Sequence, residues 1–263
     1  MNELKSVVVC PPSSEYFNVR NAINHNIAEI AIKEKAIRQH DGLIRLIEEN
    51  GCRVFIAREL KNHPNSVFVR DAAIVTPYGY IKVRMGLESR RGEEEWMASF
   101  LESLGIEKVG EIKGNASCEG GDIILAGDVA FIGHSTRTNE KGIEQLKNIL
   151  ESIGYEVRIT TVAKPFLHLG GMMSIVGNTI LHCHHGFPDG FFDGFEEITV
   201  ECNSFIGGNV IYIQGKEVIV EERNKEAIKK LQEHEFNVHV IDLSEFIKGN
   251  GGPSCLILPL KWG

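Results

Sequence analysis

Five stretches of this chain open their strands in the same way, and that repetition constrains the fold more than any other feature. "RDAAIVTPYGYIKV" (70–83), "EGGDIILAGDVAFIGH" (119–134), "LGGMMSIVGNTILHCH" (169–184) and "IGGNVIYIQGKEVIVEE" (206–222) each place two short apolar runs around a turn. "NGGPSCLILPL" (250–260) opens a last strand likewise, and four of the five begin on a Gly-Gly pair. Each of the first four reads as a β-hairpin.

Segments of helical periodicity lie between them. "NIAEIAIKEKAIRQHDGLIRLIEENG" (26–51) has apolar residues three and four apart and a glycine stop. "RGEEEWMASFLESLG" (91–105) carries its acids in the first turn, where the helix dipole favours them. "TNEKGIEQLKNILESIG" (138–154) and "RNKEAIKKLQEHE" (223–235) follow the same plan. Extended runs come after most helices: "RVFIA", "YEVRIT" and "FNVHVID". Hairpin, helix and strand thus recur about every 40–50 residues, roughly five times, a period that signals a closed or stacked array of repeats. The expected fold is an α/β propeller, five pseudo-symmetric ββαβ units around a centre. Linkers are short and low-complexity stretches absent, so residues 1–263 are expected to form a single domain.

The formal net charge of −8 disfavours nonspecific attraction to nucleic acid or anionic membrane. No apolar run reaches 18 residues, so no membrane partner is expected. The opening "MNELKSVVVCPPSSE" reads as a strand closed by prolines rather than as a secretory leader. Six scattered cysteines without a C-x-x-C pair point to reduced thiols and a cytoplasmic setting.

In a ring of repeats, equivalent positions converge on the axis. Those positions hold Arg70 and Asp71, Glu119 with Asp122, His168, and Cys255; the remaining unit offers Asn203 and Ser204. A thiol with a distant imidazole suggests nucleophile and proton carrier. Inward carboxylates suit a planar cation such as guanidinium. Asp122 reads as a supporting residue. Arginines 84, 90, 91 and 137 form a basic side that could take a substrate carboxylate, with Arg90 and Arg91 expected in solvated surface pairs. His182, His184 and His185 lie within four residues, yet no fixed carboxylate partner is apparent, so strand-edge or loop histidines are expected rather than a metal site. No phosphate-binding glycine loop occurs.

The stretches "RQHDGLIRLIEENG", "HPNSVFVRDAAIV", "VRMGLESRRGE", "EGGDIILAGDVAFIGHSTRTNEKG", "FLHLGG" and "LSEFIKGNGGPSCLIL" together resemble the guanidino-group-modifying enzymes of the pentein fold. Dimethylarginine dimethylaminohydrolase is the nearest resemblance and arginine deiminase the next. The resemblance implies that Cys255 is the nucleophile, His168 the general acid and base, and Glu119 the carboxylate holding both His168 and the guanidinium. It implies guanidinium binding by Asp71, carboxylate binding by Arg84 and Arg137, and substrate contacts from Asn65 and Phe68. The implied reaction runs through a covalent thiouronium and releases a ureido product such as citrulline. It needs neither cofactor nor metal, and its partner is a small guanidino amino acid; a homodimer is compatible with it. Asn65 stands where the dimethylarginine enzymes commonly have Asp, and Arg70 where they have Glu. "FVRD" and "GGPSC" are similar to arginine deiminase, but Gly170 stands where those enzymes have Asp. Amidino transfer, arginine dihydrolysis, and a nonenzymatic ring of the ribosome anti-association type are the alternatives on this fold.

Overall fold

The computed structural model describes residues 3–263. The first unit comprises β1 (Leu4–Val9), a short α1 (Ser14–Phe17), α2 (Lys33–Glu49) and β2 (Arg53–Ile56). The second is β3 (Ile74–Thr76), β4 (Gly79–Lys82), α3 (Glu93–Ser103) and β5 (Lys108–Glu111). The third is β6 (Ile123–Ala126), β7 (Val129–His134), α4 (Glu140–Ser152) and β8 (Glu156–Thr161). The fourth is β9 (Met173–Val176), β10 (Thr179–Cys183) and β11 (Glu196–Val200). The fifth is β12 (Val210–Tyr212), β13 (Glu217–Glu221), α5 (Lys225–Glu233) and β14 (Asn237–Ile241), followed by α6 (Ser244–Ile247) and β15 (Leu258–Trp262).

These strands form five three-stranded sheets. Within each, the inner strand runs antiparallel to the middle one, and the middle strand pairs parallel with the outer one. The ring closes because β15, from the far end of the chain, supplies the inner strand beside β1. The parallel pair in each unit requires a crossover, which the helices supply.

Helix α4 illustrates how sequence becomes packing. Asn139 caps it by accepting a hydrogen bond from the Gly142 N–H at 2.8 Å. Its buried residues Ile143, Leu146 and Leu150 recur at helical spacing and pack with Ile81 and Ile132 of two neighbouring sheets. Helix α2 does the same with Leu43 and Ile47 against Val7, Val9 and Ile219. The cores therefore lie between units, so each unit completes its neighbour.

Two expectations are refined. The long helical pattern from residue 26 becomes helix only at Lys33, because Ala28 and Glu29 give their N–H groups to the Lys248 carbonyl and Ile32 gives its own to Glu245. In the fourth unit a loop replaces the helix. Its Phe191 and Phe192 bury against Phe131, so aromatic area does the work of an apolar helix face.

One expectation is corrected. Cys183 and Cys202 form a disulfide, leaving Cys10, Cys52, Cys118 and Cys255 free. The parallel pairing of β10 with β11 sets Cys183 opposite Val200, two residues before Cys202. Among the described residues no helix is long and apolar enough to cross a membrane.

Candidate active site

Short turns precede the inner strands and ring the axis: Val69–Ala72, Gly120–Asp122, Leu169–Gly171 and Pro253–Leu256. Their residues deliver Asp71, Glu119, His168 and Cys255 to one place. Glycine makes the convergence possible. A Cβ on Gly121 would stand 2.4 Å from the Asp71 carboxylate and 2.9 Å from the His168 ring. On Gly252, one residue turn before Cys255, it would stand 2.8 Å from the Asn209 side chain.

His168 Nε2 lies 2.8 Å from Glu119 Oε2. The other Glu119 oxygen accepts the N–H groups of Gly86 and Leu87 at 2.9 and 3.1 Å. Burial opposes ionisation of Glu119, but the hydrogen bond and charge of His168, with Arg90 and Arg137, hold its carboxyl well below the usual range. Burial likewise opposes charge on His168. The carboxylates of Asp71, Asp122 and Glu119 overcome it and push the imidazole up to about 9. Asp122 does not line the pocket; it accepts from Ser135, Thr138 and the Leu169 N–H, tying the turn before β6 to the turn before β9.

Cys255 is half-buried, with Sγ 3.4 Å from the Gly252 N–H and 3.8 Å from Asn209 Nδ2. Burial and the nearby Asp71 charge push its thiol up to about 11, against those two hydrogen bonds and Arg70. Asn209 occupies the fifth turn position around the axis. It corrects the expectation of Asn203 and Ser204, which are exposed, because the chain between them and β12 turns inward before the strand begins.

A pocket with about 300 Å³ of empty space is lined by Asn65, Phe68, Asp71, Arg90, Arg137, His168 and Cys255, with Asn26, Leu167 and 249–251. Arg84 is absent from that lining. It is held in a backbone bridge with Cys118, and the turn after Gly86 returns Arg90 to the pocket in its place. Arg90 is buried, correcting the expectation of a surface pair. It donates to Asp71 Oδ2 at 2.5 Å, to Glu93 Oε2 at 2.7 Å and to the Phe68 carbonyl at 3.0 Å. Only Arg91 of that pair is exposed. The sequence did hold one signal for Arg90: a glutamate three residues on, at the start of a helix.

Three buried polar atoms among the pocket residues make no hydrogen bond: Asp71 Oδ1, Asn65 Oδ1 and Arg137 Nη1. Two accept and one donates. Asp71 Oδ1 faces His168 Nδ1 at 3.6 Å, and Arg137 Nη1 stands 3.5 Å from Glu119. Phe68 forms an apolar wall, meeting Tyr16 edge-on. Asp71, Glu119 and His168 offer ligand atoms within 4.8 Å of one another, a spacing that could hold a cation. The guanidinium groups of Arg90 and Arg137 already stand against two of the three. The other histidine cluster is elsewhere: His182 has a carboxylate partner after all, Glu197 at 2.8 Å across the β10–β11 pair, while His184 and His185 are exposed.

Residues 12–189 match the model of the family described as N,N dimethylarginine dimethylhydrolase, eukaryotic. The chain belongs to the dimethylarginine dimethylaminohydrolase family. The N(G),N(G)-dimethylarginine dimethylaminohydrolase of Pseudomonas aeruginosa is 31% identical over 227 residues, 85% of this chain and 88% of that one. An uncharacterized protein of Aeropyrum pernix is 29% identical over 233 residues, 86% of this chain and 84% of its own. The solved structure of a cysteine-to-serine mutant of the Pseudomonas aeruginosa enzyme, complexed with citrulline, superposes with a TM-score of 0.84 at 26% identity, covering 97% of this chain and 99% of that one. The propeller expectation therefore holds for this family member: it is an α/β pentein and an amidinohydrolase of that type.

Proposed function

We propose that this family member hydrolyses the guanidino group of N-methylated arginine, giving citrulline and a methylamine. The observation that carries the reading is the set of three buried pocket atoms that make no hydrogen bond. Asp71 Oδ1 and Asn65 Oδ1 require N–H donors, and Arg137 Nη1 requires an acceptor. A zwitterionic amino acid with a guanidinium head supplies both kinds. Its head group meets Asp71, with Glu119 held behind His168, its α-ammonium meets Asn65, and its carboxylate meets Arg137. Arg90 holds Asp71 in place.

The reaction follows from the charges. Cys255 rests as a thiol. An arriving guanidinium stabilises the thiolate, whose proton leaves to solvent. The sulfur attacks the guanidinium carbon and a C–S bond forms. Imidazolium His168 gives its proton to the substituted nitrogen, the C–N bond breaks, and the amine departs. Neutral His168 then takes a proton from water as it attacks the thiouronium carbon. The C–S bond breaks, the sulfur leaves with the electron pair and takes up the hydroxyl proton through solvent, which restores the thiol, and the ureido product is released. Glu119 stabilises the charged His168 in both half-reactions.

Methylated substrate is favoured because the ring position beside His168 is Gly170. An added Cβ there would find only the Gly121 carbonyl at 3.2 Å and Ser254 Oγ at 3.9 Å, so no carboxylate contests the space for methyl groups. Free arginine is the second reading, favoured by Arg70 beside Asp71. Release of citrulline from asymmetric dimethylarginine, monomethylarginine and arginine tests both, with Cys255→Ser as control. Highest kcat/KM on a methylated substrate supports the proposal. Highest kcat/KM on arginine supports the second reading, and no ureido product from any of them overturns both.

A further inference from the structure

Asp71 and its neighbour Arg70 face different spaces. Asp71 belongs to the catalytic pocket, whereas Arg70 lines a larger cavity with about 1100 Å³ of empty space along the ring axis. The inner strands wall this cavity with aliphatic side chains, including Val75, Ile124, Ile175 and Leu258. It meets the catalytic pocket at His168 and Cys255 and reaches Leu4, Tyr212 and Trp262 at the other end of the strands.

Arg70 is the one arginine or lysine lining it, and no aspartate or glutamate lines it. Among the described residues Arg70 has no ion-pair partner. Its guanidinium makes a single side-chain hydrogen bond, from Nη2 to the Ile123 carbonyl at 2.8 Å. The neighbouring Asp71 carboxylate is committed to Arg90 on the far side. Burial pulls the Arg70 guanidinium below its ordinary range, against the attraction of Asp71 and Cys255. Arg70 is half-buried, and a cation that lines an apolar cavity with no acid beside it favours an anionic ligand there.

We propose that the axial cavity is a binding site for a small amphiphilic carboxylate, whose charged head pairs with Arg70 and whose apolar body lies along the inner strands. A guanidinium fork matches a carboxylate in two-point geometry. Apolar walls with a few placed polar groups, here Arg70 and, at the shared end, His168, are the usual make-up of a small-molecule site. The ligand differs in kind from a guanidino amino acid, since the cavity offers no carboxylate to hold a cationic head. The cavity shares His168, Gly170 and Cys255 with the hydrolytic site, whereas Arg70 and the aliphatic walls belong to the cavity alone.

Calorimetric titration with octanoate tests it, with octanol as the uncharged probe of equal tail. Octanoate is expected to bind more tightly than octanol. Arg70→Gln is expected to weaken octanoate about tenfold, the loss of one charge-assisted pair, and to leave octanol unchanged. Ile175→Trp keeps Arg70 but fills the cavity, and is expected to abolish both. The emission of Trp262 at the cavity end is expected to change with octanoate in the unaltered protein. Equal binding of octanoate and octanol overturns the proposal, as does undiminished octanoate binding by Arg70→Gln. Displacement of octanoate by citrulline also overturns it, by placing the anion in the catalytic pocket. Should Arg70→Gln fail to fold, the octanoate–octanol difference and Ile175→Trp decide.

Discussion

His168 Nε2 stands 2.8 Å from Glu119 Oε2, and both side chains are buried. Together with Asp71 and Asp122, this contact raises His168 from an ordinary 6.5 to about 9. A base with a raised folded pKa stabilises the fold fully below its unfolded value and loses that contribution as pH rises through the folded one. His168 should therefore contribute most stability below about pH 6.5 and none above about pH 9. Activity requires the imidazolium and should fall over an alkaline limb approaching pH 9. Glu119→Gln should move that limb to lower pH and reduce kcat roughly a hundred- to ten-thousand-fold. A pH–rate profile with an unmoved limb would remove His168 as the acid.

Cys255 should be a sluggish thiol until substrate arrives. With its pKa at about 11, roughly one molecule in ten thousand carries thiolate at pH 7. Alkylation by iodoacetamide should accelerate with pH and show no plateau below about pH 10. A bound, unreactive guanidinium should bring the titration to lower pH. Cys255→Ser should show neither labelling of this site nor turnover. An early plateau near pH 7 would mean a thiolate already stabilised in the free protein.

Arg90 and Arg137 should separate in their effects. Arg90→Met leaves Asp71 and Glu93 buried without their cation and should cost about 3–5 kcal/mol. The loss should be greater at pH 8 than at pH 5, because burial already pushes Glu93 up to about 7 and it can shed its charge by protonating in acid. Arg137 makes no side-chain hydrogen bond, so Arg137→Met should raise KM with a much smaller change in denaturant midpoint. Comparable destabilisation by the two would contradict the assignment.

Gly170→Asp should shift preference from methylated arginine toward arginine. The new carboxylate would add negative charge beside His168 and occupy the space left for methyl groups. Competition between the two substrates measures the ratio, and an unchanged ratio would place the discrimination elsewhere.

The disulfide predicts four titratable thiols in denatured, unreduced protein instead of the six in the sequence. Cys202→Ser should lower stability by about 3 kcal/mol, as for closing a loop of roughly twenty residues. Its effect should vanish when both proteins are compared under strong reductant.

The sequence by itself determined the repeat, because turn glycines, strand alternation and helical spacing are local signals. Four helices, four hairpins and the final strand could be read from it, and so could Asp71, Glu119, His168 and Cys255, which occupy matched points of the repeat. Only the tertiary structure decided which side chains those points gather. Arg84 and Arg90 are six residues apart and alike in composition, yet a backbone bridge holds one aside and a turn returns the other onto Asp71. Asn209 reaches Cys255 across 46 residues, and Cys183 meets Cys202 through a parallel register. Such meetings depend on ring closure and strand pairing, which join distant segments and leave no mark in local periodicity.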